Sequence, residues 1–412
     1  MKLILPVLSG IIFLLCIYRF TIRLFKPEDA PNTSDDKLDW KTVSALMAIV
    51  SVAWVAFIFL YAMLKNPSYT LDESLKDVFI QLDVNHYVNI AQFGYGTGEA
   101  FHEQELMIVF FPLWPLLLKL VHFIIPIGWY VLGTLLQIPI FIVGMTMFYV
   151  VASKYYDQPT SKLALILLLV SPGAFFFLSP MTESLFFALC MVALWALQSR
   201  KLWIFVIASY AAALTRSPGV LLAVPAIIMA AQGFKNKSGI TRWGTYLVSA
   251  SGPVLGIATY LLINFKVYGN WFAYSEFQRD HWGQGLGIFC NTIKYHQEYF
   301  WGGLKDNIKF AVLVSLMAVL VIMAQLISTW LGSKKMPTHL GFYSLAYIVL
   351  VDGATWLLSA PRYALCLPFV HLSIADKLRT SIRKALVLVP LSMVSILSLI
   401  HISEPTRHSL IS

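Results

Sequence analysis

What most limits this chain is a succession of apolar runs, most of them about as long as a bilayer needs. A stretch of roughly 20 apolar residues, wound as a helix, crosses the ~30 Å hydrocarbon core. Such runs recur at about 3–24, 43–64, 129–151, 163–179, 182–199, 202–216, 218–233, 244–265, 308–331, 338–358, 362–376 and 385–400. A backbone in hydrocarbon must satisfy its hydrogen bonds within each segment, so these runs predict helices. Composition agrees. Only 12% of the 412 residues are charged and 58% are hydrophobic, against roughly 25% charged in a soluble domain. The expected fold class is an all-α polytopic membrane protein with about 12 transmembrane helices.

The formal net charge of +9 would point to nucleic acid in a soluble protein. Here the cations occupy short loops, which is the positive-inside pattern, and no nucleic-acid partner is implied. The clusters are Arg19/Arg23/Lys26/Lys37/Lys41, Lys154/Lys162, Arg200/Lys201, Lys235/Lys237/Arg242, Lys334/Lys335 and Lys377/Arg379/Arg383/Lys384. Placing them all in the cytoplasm puts the N-terminus outside. The first run is longer than a signal-peptide core and is followed by Arg23 and Lys26 with no small-residue cleavage site, so it reads as a retained helix. Residues 1–42 then form an additional N-terminal helix and cytoplasmic connector, 43–400 the transmembrane domain, and 401–412 a polar tail with no assigned role. The four cysteines are far apart and form neither a disulfide framework nor a zinc pattern.

One apolar run, 107–125, breaks the charge alternation if it crosses. It carries Pro112, Pro115 and Pro126, which disrupt a continuous helix. It is expected to be a juxtamembrane or re-entrant element on the outer side. Five segments then share the outer face: loop 65–128, Ser179-Pro180-Met181-Thr182-Glu183, Thr215-Arg216-Ser217-Pro218, loop 266–307, and Ser359-Ala360-Pro361-Arg362-Tyr363.

The chemistry-bearing residues lie in these segments. Asp83 stands among Phe79, Ile80, Leu82, Tyr87, Ile90 and Ala91, a pattern that predicts a helix at the membrane surface. Asp83 and Tyr87 are four apart and share a face. Partial desolvation there is expected to raise the Asp83 pKa and its use as a base; the plain alternative is a solvated loop acid. Glu183 opens a helix, where an acid ordinarily favours the dipole. Arg216 and Arg362 sit at membrane boundaries beside prolines, as snorkelling anchors or as phosphate clamps. Asp352 is an acid inside a late apolar run, either functional or locally paired beside Gly353. Loop 266–307 is rich in aromatics, Trp282 among them, compatible with a membrane belt or a carbohydrate site. Gly283-Gln284-Gly285-Leu286-Gly287 lacks the strand–helix context of a nucleotide loop, and no P-loop, zinc-protease motif or serine elbow is present. A soluble nucleotide-sugar donor is therefore unsupported, and the spacing of His, Cys and acids supplies no metal-ligand set.

The order Asp-x-x-x-Tyr-x-x-Ile-Ala-x-x-Gly-Tyr (Asp83, Tyr87, Ile90, Ala91, Gly94, Tyr95) followed by Phe-Phe-Pro-x-x-Pro (Phe110 to Pro115) resembles the PIG-V type mannosyltransferases. Later pieces agree: Ser179-Pro180-x-x-Glu183-Ser184, Thr215-Arg216-x-x-Gly219, Gly269-x-x-x-Ala273 before Trp282, and Pro361-Arg362-Tyr363. The resemblance spans about 43–380. Leu82 and His86 stand where that family usually has Trp. It implies a GT-C-like bundle transferring a sugar, most often mannose, from a polyprenyl-phosphate donor on the extracytoplasmic or lumenal side. It assigns the catalytic acid to Asp83; substrate binding is expected of His86, Tyr87, Glu183, Arg216, Arg362, Tyr363 and Trp282. No soluble cofactor is required. The implied partners are the lipid-linked donor, a glycolipid or other membrane acceptor, and the bilayer; a small partner subunit is not specified. The membrane would be the cell membrane in a prokaryote or the endoplasmic reticulum in a eukaryote. The alternative is a transporter or lipid flippase, which predicts an inverted repeat with helices broken at the midplane; none is visible.

Overall fold

A computed structural model describes residues 3–24, 38–80, 82–95, 104–235, 239–285, 287–306, 308, 311–355, 357 and 359–379. The expected crossing at 385–400, the tail and most of the 26–42 connector lie outside the described residues. The helices are α1 Ile4–Leu24, α2 Trp40–Lys65, α3 Leu71–Val78, α4 Val84–Phe93, α5 Leu113–Ile124, α6 Trp129–Ser153, α7 Gln158–Leu169, α8 Glu183–Gln198 and α9 Leu202–Thr215. There follow α10 Ala223–Lys235, α11 Ile240–Ser249, α12 Ser251–Tyr268, α13 Ala273–Trp282, α14 Phe289–Asp306, α15 Met317–Gly332, α16 Thr338–Val351, α17 Ala360–Ala364 and α18 Phe369–Leu378. Among the described residues, six helical stretches are long and apolar enough to cross a membrane: Ile4–Leu24, Trp40–Lys65, Trp129–Ser153, Ser217–Lys235, Trp243–Tyr268 and Val314–Gly332. Shorter apolar helices fill the bundle between them. The chain is an all-α, multi-pass membrane protein.

Several expected crossings are shorter than their apolar runs, and all yield at the same end of the bundle. The run 163–179 is helical only to Leu169, then turns at Gly173 (φ +84°) into a 3-10 segment, Ala174–Leu178. A second 3-10 segment, Ser217–Leu222, starts with Pro218 near its first turn. The run 338–358 stops at Val351, and 362–376 is split into α17 and α18 around Pro368. Proline and glycine impose these breaks. Phe175, Phe176, Phe177 and Leu178 are buried, so protein rather than lipid covers the irregular backbone.

The run 107–125 is only partly helical. Its helix α5 has 12 residues, about 18 Å of rise, and turns one apolar face outward through Leu116, Leu120, Phe123 and Ile124 while burying Trp114 and Leu118. The chain then enters α6, whose first amides, Tyr130 N and Val131 N, donate to Asp72 Oδ1 at 2.9 and 3.0 Å. The expected surface helix around Asp83 is two helices, α3 and α4. Asp83 stands at the break, in the N-cap position of α4.

Several residues of the basic loops pair with acids at the other end. Lys162 pairs with Asp39 at 2.9 Å, Arg379 with Asp157 at 2.5 Å, and Lys335 with Asp376 at 2.8 Å. The N-terminal helix, expected to be an addition, is built into the bundle. Phe20 is fully buried, in the space a side chain on Gly341 would fill. Arg19 lies 3.3 Å from the centre of the Trp330 ring, and Arg23 donates to the Ser333 and Met336 carbonyls at 2.7 and 2.6 Å.

Candidate active site

Three of the proline-marked turns meet at the end opposite the basic loops. Glu183 begins α8, directly after the Ser179–Thr182 turn. That turn is held from below: Trp114 Nε1 donates to the Pro180 carbonyl at 3.1 Å and Gln137 Nε2 to the Met181 carbonyl at 2.9 Å. Arg216 follows the last residue of α9, and Arg362 sits within the short α17 after Pro361.

These side chains form one continuous network with Asp83. Glu183 Oε1 accepts from both Arg216 Nη1 and Arg362 Nε. Arg362 Nη1 donates to Asp83 Oδ2 at 2.5 Å. Arg216 Nη1 also donates to Thr182 Oγ1 at 3.2 Å, and Tyr87 Oη lies 3.4 Å from the same oxygen. The network runs from buried to open. The Glu183 side chain is 0% exposed, those of Arg362 and Arg216 are 10% and 13%, and that of Asp83 is 36%.

The arginines are held by rings as well as by charge. Arg362 Cζ lies 5.4 Å from the centre of the Phe176 ring and Arg216 Cζ 5.3 Å from that of Tyr363, distances at which a guanidinium is attracted to a π face. Tyr347 Oη donates to the Tyr363 carbonyl at 2.9 Å. Beside Asp83, His86 stacks on Phe110 with ring centres 4.7 Å apart, and Tyr87 meets the same ring edge-on. Tyr95 Oη donates to the Phe110 carbonyl at 2.5 Å. His86 Nδ1 and Glu183 Oε2 are buried without a hydrogen-bond partner among the described residues.

Electrostatically the two arginines match the two acids. Burial pushes the Asp83 carboxyl up, but the Arg362 guanidinium, with His86 and Arg216, outweighs it and holds Asp83 below the usual carboxylate range. This corrects the sequence expectation of a raised pKa: partial burial was foreseen, the guanidinium against the carboxylate was not. Burial together with Asp83 and Glu183 raises the Tyr87 phenol, which stays protonated.

No protein-family model matches the chain, and no curated protein matches it in sequence. Two solved structures of the oligosaccharyltransferase of Archaeoglobus fulgidus align with it. One, a complex with zinc and sulfate, gives a TM-score of 0.45 at 14% identity, covering 88% of this chain and 53% of that one. The other, AglB with an inhibitory peptide and a dolichol-phosphate, gives a TM-score of 0.45 at 12% identity, covering 88% and 55%. This chain spans about half the length of those structures.

Six of the eight residues singled out from sequence, Asp83, Tyr87, Glu183, Arg216, Arg362 and Tyr363, adjoin one another, and His86 flanks them. Trp282 ends α13, and its side chain lies outside the described residues. The boundary arginines do not snorkel; both turn inward to Glu183. Asp352 is wholly buried, and neither carboxyl oxygen has a hydrogen-bond partner among the described residues, so the local pair expected beside Gly353 is not formed. Thr182 and Phe176 were missed as individuals. Thr182 lies inside a turn already marked by Pro180, but nothing in the apolar run 174–178 distinguishes Phe176. Among the described residues no three His, Cys, Asp or Glu side chains gather as a metal site.

Proposed function

We propose that this chain is a membrane glycosyltransferase with a GT-C-like bundle. It moves a hexose, mannose by the motif resemblance, from a polyprenyl- or dolichyl-phosphate donor to a hydroxyl of a glycolipid or other membrane acceptor. The reaction belongs to the extracytoplasmic or lumenal face, of the cell membrane in a prokaryote or the endoplasmic reticulum in a eukaryote. The observation that carries this reading is the network itself: an open carboxylate backed by two nearly buried arginines that share a single glutamate. Membrane anchoring alone does not call for such an arrangement, whereas guanidinium forks match phosphate oxygens.

The chemistry follows from which group is open. Asp83 accepts the proton of the acceptor hydroxyl. The acceptor oxygen forms a bond to the anomeric carbon as the bond from that carbon to the phosphate oxygen breaks, with inversion. The bonding pair leaves on the lipid phosphate, where Arg362 and Arg216 offset the developing charge. The resting network is formally neutral, so donor phosphate competes with Asp83 for Arg362. Donor binding thus frees the carboxylate from its guanidinium and restores its basicity at the moment a base is needed. The buried Glu183 keeps both arginines in place while this exchange occurs.

The test is transfer of radiolabelled sugar from polyprenyl-phosphate-mannose in membranes containing the full chain. Label passing to a lipid or protein acceptor supports the reading. Transport of the donor across the bilayer without label transfer would favour a flippase instead.

A further inference from the structure

Beyond the acid–arginine network, a second set of hydrogen bonds reaches the connection that carries Arg362. Residues 352–355 and Leu357 belong to the connection between α16 and α17. The outer segment 283–296 grips it at four places. Gly287 N donates to the Gly353 carbonyl at 2.8 Å, and Thr355 N donates to the Gly285 carbonyl at 3.2 Å. Thr292 Oγ1 donates to the Ala354 carbonyl at 2.9 Å. Leu357 N donates to His296 Nε2 at 3.1 Å. The approach is close enough that a Cβ on Gly353 would lie 2.6 Å from the Gly287 carbonyl oxygen.

The fourth bond differs from the others because its surroundings are dry. His296 and Leu357 are each 1% exposed, so water does not replace a lost acceptor and the Leu357 N–H would be left unsatisfied. The bond also fixes the state of the ring. Nε2 accepts, so the proton sits on Nδ1, which faces Ser315 Oγ at 3.3 Å. Burial lowers the ring's pKa to about 4, so it is neutral at ordinary pH, as an acceptor must be. Ser315 lies in a π-helical turn, Ala311–Leu316, a local widening frequent at functional sites.

Building on the glycosyl-transfer reading, we infer that His296 is a positioning residue: through the Leu357 amide it fixes the Asp352–Ser359 connection and so sets Arg362 against the donor phosphate. The outer loop is then a brace for the phosphate site, holding it through this connection.

Two variants of the full chain test this. In His296→Gln, the side-chain oxygen reaches the place of Nε2 and still accepts. In His296→Leu, a side chain of comparable bulk offers no acceptor. Two readouts are needed, amide hydrogen exchange of the purified protein and KM against kcat for polyprenyl-phosphate-mannose. The Leu variant should speed exchange at Leu357 and across Ser359–Tyr363 by about tenfold or more and raise KM by about tenfold, with kcat changed far less. The Gln variant should stay near wild type in both. Wild-type exchange and KM in the Leu variant would overturn the assignment, and so would equal losses in both variants, which would mean a space-filling role. Exchange does not depend on turnover. A wild-type protein that transfers no sugar would overturn the glycosyl-transfer reading, while the exchange pattern would still accept or reject the brace.

Discussion

Arg362 donates from Nη1 to Asp83 Oδ2 at 2.5 Å, across 279 positions of sequence. The same guanidinium donates from Nε to Glu183. One planar group thus joins an open acid to a buried one, and most of what the site should do can be tested through it.

Arg362→Lys is not a conservative change here. A lysine ammonium is a single point of charge and does not reproduce a fork addressing two carboxylates from different nitrogens. Transfer should fall roughly 10²–10³-fold in the Lys variant, as when a preorganised donor to developing charge is removed. Steady-state rates with a polyprenyl-phosphate sugar measure this; a Lys variant within threefold of wild type would remove Arg362 from the phosphate site.

Glu183 should matter to stability before it matters to chemistry. It is fully buried and carries both arginines, so Glu183→Gln leaves the nearly buried Arg216 without its counter-charge and Arg362 with Asp83 alone. Breaking a buried ion pair from one side costs about 3–5 kcal/mol. Thermal unfolding in detergent should show a clearly lowered midpoint. An unchanged midpoint would mean that the arginines are hydrated in solution.

The pH profile should separate free enzyme from donor complex. The Asp83 pKa in the folded protein is depressed by Arg362. Its contribution to stability is therefore complete above the unfolded value of about 3.9 and is lost as pH falls through the lower folded value. For catalysis, kcat/KM reports the free enzyme and should hold on the acid side to below the ordinary carboxylate range. Once phosphate has taken Arg362, the pKa returns upward, so the acid limb of kcat should lie at higher pH than that of kcat/KM. Coincident limbs would contradict the exchange of partners.

Backbone packing also sets the site. A Cβ on Gly219 would lie 2.4 Å from backbone atoms of Ala212 and Ala213. Gly219→Ala should push Ser217–Leu222 off α9 and displace Arg216, with transfer reduced by about tenfold or more and a destabilisation of about 1–3 kcal/mol. Gly302→Ala is the control, because nothing lies within 4 Å of its added carbon; it should leave activity unchanged and, being inside α14, cause no destabilisation and a gain of at most about 1 kcal/mol.

Much of this architecture is legible in the chain because lipid is a strict solvent. Apolar length marks the helices, and clustered cations mark one end of the bundle, where Asp39, Asp157 and Asp376 prove to be their partners. Prolines mark the other end, and Pro180, Pro218 and Pro361 each stand beside a residue of the network. What the chain does not display is pairing. Asp83 and Arg362 each read as separate boundary residues, and only their contact reverses the expected pKa shift. Helix shortening was hidden for a related reason: Ala174–Leu178 is as apolar as any crossing, and only the backbone turn at Gly173 shows that it has left the helix. The first helix read as an addition because its apolar pattern does not disclose that Phe20 fills the space at Gly341.

The most direct test is label transfer from radiolabelled polyprenyl-phosphate-mannose, comparing wild type with Asp83→Asn in membranes and verifying that both proteins unfold cooperatively. The account predicts transfer by wild type and, in the Asn variant, a loss of at least about 10²-fold, the lower range for a general base. Transfer by Asp83→Asn at the wild-type rate would contradict the central claim, since the open carboxylate would then carry no part of the chemistry.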